Sequence, residues 1–166
     1  ILAEGGTAAD AMVAVQAVLG LVEPQSSGLG GGAFLLWFDA KTGEITTLDG
    51  RETAPLEARP TLFQDAEGEP LKFFDAVVGG RSVGVPGTPA LMQEAHRRWG
   101  TRSWASLFAR GIALAEDGFI VSPRLAAMVS ADAERLARDP VAQGYFFPGG
   151  RALTAGQLHR NAAYAE

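Results

Sequence analysis

Residues Gly28 to Pro55 read GLGGGAFLLWFDAKTGEITTLDGRETAP, and the order of their parts decides the fold. A glycine run feeds the continuous apolar stretch Ala33 to Phe38, the pattern of a strand covered on both faces. Asp39 to Gly43 supplies the loop chemistry of a hairpin. Glu44 to Asp49 then returns with Ile45 and Thr47 on one side and Thr46 and Leu48 on the other. Two antiparallel strands are expected, the second delivering Arg51 beside Glu52 at its exit. A guanidinium held at a strand end presents a rigid fork to a carboxylate.

Upstream, Thr7 and Asp10 have the spacing of a helix cap, and Ala8 to Val22 is apolar on nearly every face, so the helix it predicts is buried on several sides before Pro24 stops it. Ile1 to Gly6 reads as the last turn of a helix ending at a glycine cap. Downstream, Glu57 to Gly80 has poor periodicity and reads as a long irregular excursion with a short helix at Pro60 to Phe63. A third strand is expected over Arg81 to Val85, and a helix from Thr88 or Pro89 to about Trp99. Further amphipathic helices are expected over Trp104 to Ala115 and Pro123 to Arg138, separated by a stop at Gly118 and a start at Ser122-Pro123. Strands early, a buried helix beside them and helices late describe a layered α+β fold.

The 166 residues, 47% of them hydrophobic, suffice for one domain core. A net charge of −5 without long runs of one sign gives no electrostatic reason to expect nucleic acid or an anionic membrane as partner. The absence of cysteine excludes disulfides, zinc thiolate sites and cysteine nucleophiles. No apolar run approaches the roughly 18 residues that span a bilayer, and no signal peptide is expected in the chain.

Several ordered motifs resemble the gamma-glutamyltranspeptidase family. Arg51, Glu52, Thr53, Ala54 and Pro55 match its R-E-x-A-P signature behind a glycine-rich turn, and VPGTPA at Val85 to Ala90 looks like its P-G-x-x-x motif. LAEDGFIVSPRLA at Leu114 to Ala126 resembles its L-A-x-x-G-F-x-V stretch, and ILAEGGTAADAMVAV at the start resembles its first large-subunit helices. The resemblance implies an amino-terminal-nucleophile hydrolase, an αββα sandwich represented by its large-subunit share. Residues 1–166 would then be a single partial domain, expected to be truncated at both ends. It also implies a threonine nucleophile on a separate small subunit. The nearest string here, Thr46-Thr47-Leu48, lies inside an expected strand with the wrong follower, so the chain alone is expected to be inactive. By family resemblance only, the location is periplasmic or secreted.

Arg51 is the first candidate binding residue, since the resemblance assigns its counterpart the α-carboxylate of a glutamyl substrate. Spacing alone fits a structural ion pair with Asp49 or Glu52 better. Glu52 is a secondary candidate, either orienting Arg51 or simply solvated. The run Gly28 to Gly32 invites a phosphate-loop reading, but that chemistry needs a strand before the loop and a helix after it, whereas here the order is helix, loop, strand. Ser26 and Ser27 lack the G-x-S-x-G context, and His96 and His159 form no metal-ligand pair, so neither metal nor cofactor is expected. Glu116-Asp117, ahead of Gly118, oppose a helix dipole and hint at a tertiary constraint.

Three functions compete. The first is the large-subunit part of a gamma-glutamyltransferase or glutathione hydrolase, partnered by the small catalytic subunit and a gamma-glutamyl small molecule. The second is a cephalosporin (glutaryl) acylase of the same superfamily. The third is a non-catalytic interaction domain. The apolar first helix and covered strand imply surfaces too large for this chain to bury, so self-association or pairing with the small subunit is expected.

Overall fold

Thr7 and Asp10 start the first helix as their spacing predicts. In the computed structural model, which describes Ile1 to Glu166, the Thr7 amide donates to Asp10 Oδ2 at 2.8 Å and the Asp10 amide to Thr7 Oγ1 at 3.2 Å. The helix, α1 (Ala8–Val22), follows a single glycine-capped 3-10 turn at Leu2–Glu4, with Gly5 at φ 83°. One stripe of α1, Ala9, Asp10, Val13, Ala17 and Leu21, is buried. Val15 and Leu19 stay exposed beside an apolar groove of about 850 Å³ between the first turn, α1 and residues 106–110. Burial on several sides is therefore not reached within this chain.

The hairpin forms in the expected register: β1 (Ala33–Asp39) pairs antiparallel with β2 (Glu44–Gly50), Ala33 opposite Gly50 and Asp39 opposite Glu44. Gly43, at φ 74°, closes the turn with its amide on the Asp39 carbonyl at 2.8 Å. Only one face is covered, which corrects the expectation of cover on both. The helix packed on the hairpin, α3 (Thr88–Trp99), lies on the Leu35, Trp37 and Leu48 side and stacks Trp99 on Trp37 at 4.6 Å. Phe34, Leu36, Phe38 and Ile45 project from the opposite side with 62–73% of their surface exposed.

Between hairpin and α3 the chain departs from its sequence reading. Pro60 to Phe63 forms turns only, and the short helix of this excursion is α2 (Phe73–Val77). The third strand over Arg81 to Val85 does not form. Gly79 at φ 103° and two bonds from Ser82 Oγ, to the Val77 and Gly79 carbonyls, fold Gly80–Ser82 into a 3-10 turn. A single antiparallel bridge, Thr53 to Val85, is left.

The helix expected over Trp104 to Ala115 divides into a 3-10 turn at Trp104–Leu107 and α4 (Ala109–Asp117). That over Pro123 to Arg138 breaks at Asp132 into α5 (Pro123–Ala131), capped by Ser122, and α6 (Ala133–Leu136). The strands β3 (Phe119–Ile120) and β4 (Leu158–His159), with α7 (Pro140–Phe146) between them and α8 (Ala162–Ala165) at the end, complete the fold. One core gathers Leu21, Ala115, Phe119, Val121, Leu125, Val129 and Leu153, and a second gathers Val13, Met92 and Leu107.

Asp10 joins α1 to the loop after α3. Its fully buried carboxylate accepts from the Thr101 amide at 3.1 Å, Thr101 Oγ1 at 3.0 Å and the Arg102 amide at 3.4 Å, besides the Thr7 amide. Burial pushes its pKa up, but these donors outweigh it and hold the group at about 2 instead of 3.8. A carboxyl depressed on folding stabilises the fold above its unfolded value and loses that contribution as pH falls through the folded one. Asp10→Asn should therefore cost about 1–3 kcal/mol near neutral pH. Its unfolding curves should also show less acid dependence between pH 4 and 2 than those of the wild type; equal stability and equal acid dependence would exclude this role.

Candidate functional site

Three motifs singled out in the sequence meet at one place. The Gly31 carbonyl accepts the amides of Gly87 at 3.0 Å and Thr88 at 3.1 Å, so the glycine run sits on the first turn of α3 and uses donors an anion would need. Gly87 also lies so close to the Gly50 carbonyl oxygen that no side chain fits between α3 and the end of β2. At Gly32, a Cβ would stand 2.5 Å from Glu52 Oε2 and 2.6 Å from the Glu52 amide. Backbone thus crosses backbone at the exit of β2, and this contact sets the direction in which Arg51 leaves the sheet.

Arg51 is exposed, makes no ion pair, and lines a cleft of about 290 Å³ and a cavity of about 370 Å³. The neighbouring acids are occupied. Asp49 Oδ1 accepts the Arg51 backbone amide at 2.9 Å, and Glu52 lies over Gly31 and Gly32 without an ion pair to Arg51. Glu94, in the smaller cleft, takes Arg97 Nε at 2.7 Å and Arg98 Nε at 2.6 Å. Hydrogen bonds from Arg97, then Arg98, lower its pKa to about 2. The guanidinium of Arg51 is free to bind a carboxylate. A second guanidinium, Arg81, lines the 370 Å³ cavity, and reading that segment as a strand hid it. Its place in a glycine-flanked segment ahead of Pro86-Gly87 was the available signal.

Among the other singled-out residues, Ser27, His96 and Asp117 have structural partners. Ser27 Oγ accepts from Gln16 Nε2 at 2.8 Å, and with Ser26 it lines a polar pocket of about 450 Å³ that also holds the glycine run and Glu52. His96 Nε2 lies 2.8 Å from the Arg102 carbonyl and 3.7 Å from Asp10 Oδ1, which makes it part of the Asp10 junction. His159 is buried against Phe119 and Tyr145 with its Nε2 unpartnered, and burial lowers its pKa. The carbonyl of Asp117 accepts Arg160 Nε at 3.0 Å, which supplies a cation to the C-terminal end of α4.

A sequence profile of the family described as gamma-glutamyltranspeptidase matches residues 1–166. The glutathione hydrolase proenzyme of Bacillus subtilis (strain 168) is 43% identical over 156 residues, covering 94% of this chain and 26% of that protein. The chain therefore spans about a quarter of the length of this curated relative. The crystal structure of Helicobacter pylori gamma-glutamyltranspeptidase superimposes with a TM-score of 0.93 at 35% identity, over 99% of this chain and 47% of that one. Cephalosporin acylase from Bacillus halodurans superimposes with a TM-score of 0.79 at 30% identity, over 99% of this chain and 31% of that one.

The crossing at Gly32 is testable by itself. Gly32→Ala should destabilise the protein by about 1–3 kcal/mol, because the added methyl overpacks against backbone. Gly30→Ala, where nothing lies within 4 Å of the new Cβ, should leave the unfolding midpoint unchanged. Equal midpoints for the two variants would show that the crossing tolerates a side chain.

Proposed function

The chain belongs to the gamma-glutamyltranspeptidase family, and on that premise we propose that residues 1–166 act as a single, partial domain: the large-subunit part of an enzyme that transfers or hydrolyses the gamma-glutamyl group of glutathione and related amides. The fold is α+β, the large-subunit share of the amino-terminal-nucleophile αββα sandwich. The observation that carries the proposal is Arg51: unpaired, at a strand exit, lining a cavity, and followed by Glu-Thr-Ala-Pro.

In this reading Arg51 makes two parallel, charge-assisted hydrogen bonds to the α-carboxylate of the glutamyl group. Glu52, turned to the glycine run, helps shape the wall beside it. The bond-making group is the amino-terminal threonine of a small catalytic subunit. Its hydroxyl attacks the gamma-amide carbonyl, the C–N bond breaks, the amine leaves with a proton, and an ester remains on the threonine. Water or the amine of an acceptor then attacks the ester carbonyl and restores the hydroxyl. This chain positions the substrate and supplies no nucleophile, so alone it is inactive.

The outer hairpin face, Phe34, Leu36, Phe38 and Ile45, is the surface for that subunit, since an apolar patch of this kind is stable only when covered. No helix is long and apolar enough to cross a membrane. A periplasmic or secreted location is part of the proposal. An acylase activity has weaker support, because the likeness to the cephalosporin acylase is lower in both identity and TM-score. Hydrolysis of glutaryl-cephalosporin faster than of gamma-glutamyl-p-nitroanilide would favour it.

In the enzyme with both subunits, Arg51→Ala and Arg51→Lys should raise KM for gamma-glutamyl-p-nitroanilide by one to two orders of magnitude, the worth of a charge-assisted fork of about 1.5–3 kcal/mol. An unchanged KM would reject the role. Expressed by itself, the chain should elute in gel filtration as more than a monomer. The double variant Leu36→Lys, Phe38→Lys should shift it toward monomer and weaken its capture of the small subunit; unaltered elution and capture would assign contact to another face.

A further inference from the structure

The 370 Å³ cavity holds two guanidiniums, and the α-carboxylate accounts for one. Its volume falls within the roughly 300–1,000 Å³ of small-ligand sites. Arg81, like Arg51, has neither an ion pair nor a side-chain hydrogen bond within the chain, although it sits on a well-tied turn. Ser82 Oγ donates to the Val77 carbonyl at 2.8 Å, the Val83 amide to the Gly80 carbonyl at 3.2 Å, and the Val85 amide to the Thr53 carbonyl at 2.9 Å. Gly84 then runs so close to Glu52 that a Cβ there would meet Glu52 Cβ at 2.9 Å. The turn is therefore seated on the Arg51-Glu52 segment.

The bridge brings the two cations to one cavity. Thr53 and Val85 pair antiparallel, which holds the segments carrying Arg51 and Arg81 beside one another. Arg51 lies two residues before Thr53 and Arg81 four residues before Val85, and both line the cavity. The remaining charged lining residue, Glu52, has its carboxylate against Gly31 and Gly32. The cavity thus carries two cations without an ion pair in its lining, together with the apolar residues Leu62, Phe63 and Val83.

We infer that Arg81 is a specificity-determining residue that binds a second carboxylate, the one at the far end of a gamma-glutamyl peptide whose α-carboxylate is held by Arg51. The inference rests on the reading of Arg51 given above and adds the substrate class: donors that end in a free carboxylate are preferred over neutral amides. A tripeptide extends over roughly 10 Å, long enough for its two carboxylates to meet different side chains.

The test compares kcat/KM for gamma-glutamylcysteinylglycine and its glycine ethyl ester, which differ in the far carboxylate alone, using the enzyme with both subunits. The wild type should favour the free acid by about tenfold or more, the scale of one charge-assisted hydrogen bond. Arg81→Gln should abolish that preference while leaving the ester nearly unaffected, and Arg81→Lys should retain most of it as a point charge. Arg51→Lys should weaken both substrates alike, since both carry the α-carboxylate. Equal use of acid and ester by the wild type, or an unchanged ratio in Arg81→Gln, overturns the inference and leaves the function standing. Turnover of neither substrate by the wild type overturns the function, and the inference with it.

Discussion

The Gly31 carbonyl, shared by the amides of Gly87 and Thr88, is the contact on which the rest of the site depends. It joins residues far apart in sequence without a side chain between them, possible only because Gly32, Gly50 and Gly87 remove the Cβ atoms that would keep the segments apart. Once that crossing is made, the end of β2 is pinned under α3, and Arg51 and Thr53 leave in a fixed direction. The first amides of α3 are consumed in the process. The start of α3 therefore offers neither of these amides to an anion.

Charge is distributed to the same effect. Asp10, Asp49 and Glu94 are bound to backbone amides or to other arginines, and Glu52 faces the glycine run. Ion pairs at the surface contribute only about 0–1 kcal/mol, so leaving Arg51 and Arg81 unpaired costs the fold little. What the chain gains is a pair of unoccupied forks beside an apolar wall. Stability comes from elsewhere, from two modest cores and the Asp10 junction.

Signals confined to a few neighbouring residues were legible in the sequence. The Thr7 cap, the register of the hairpin, the Gly118 stop and the Ser122 cap each depend on local hydrogen bonding or backbone preference. The R-E-x-A-P segment located Arg51 because its motif context outweighed its spacing. Two kinds of feature were not legible: side-chain bonds that override the composition of a segment, and covers set by distant packing. The Arg81 segment has the composition of a strand, yet Ser82 and Gly79 fold it into a turn, and Arg81 was passed over for that reason. Phe34 to Phe38 looks doubly covered because apolar residues occupy both sides, but that pattern cannot reveal that the chain itself covers only one of them. The small β3–β4 sheet is too short for any periodic signature.

The groups that complete helix α1 come long after it in sequence: Thr101 reaches Asp10 across 91 residues, and Tyr164 Oη reaches the Ala17 carbonyl at 2.9 Å across 147. Such long-range closure slows folding. On the ribosome α1 lacks these partners until residues 101 and 164 have been made, so a chaperone that shields its apolar stripe would act in that interval.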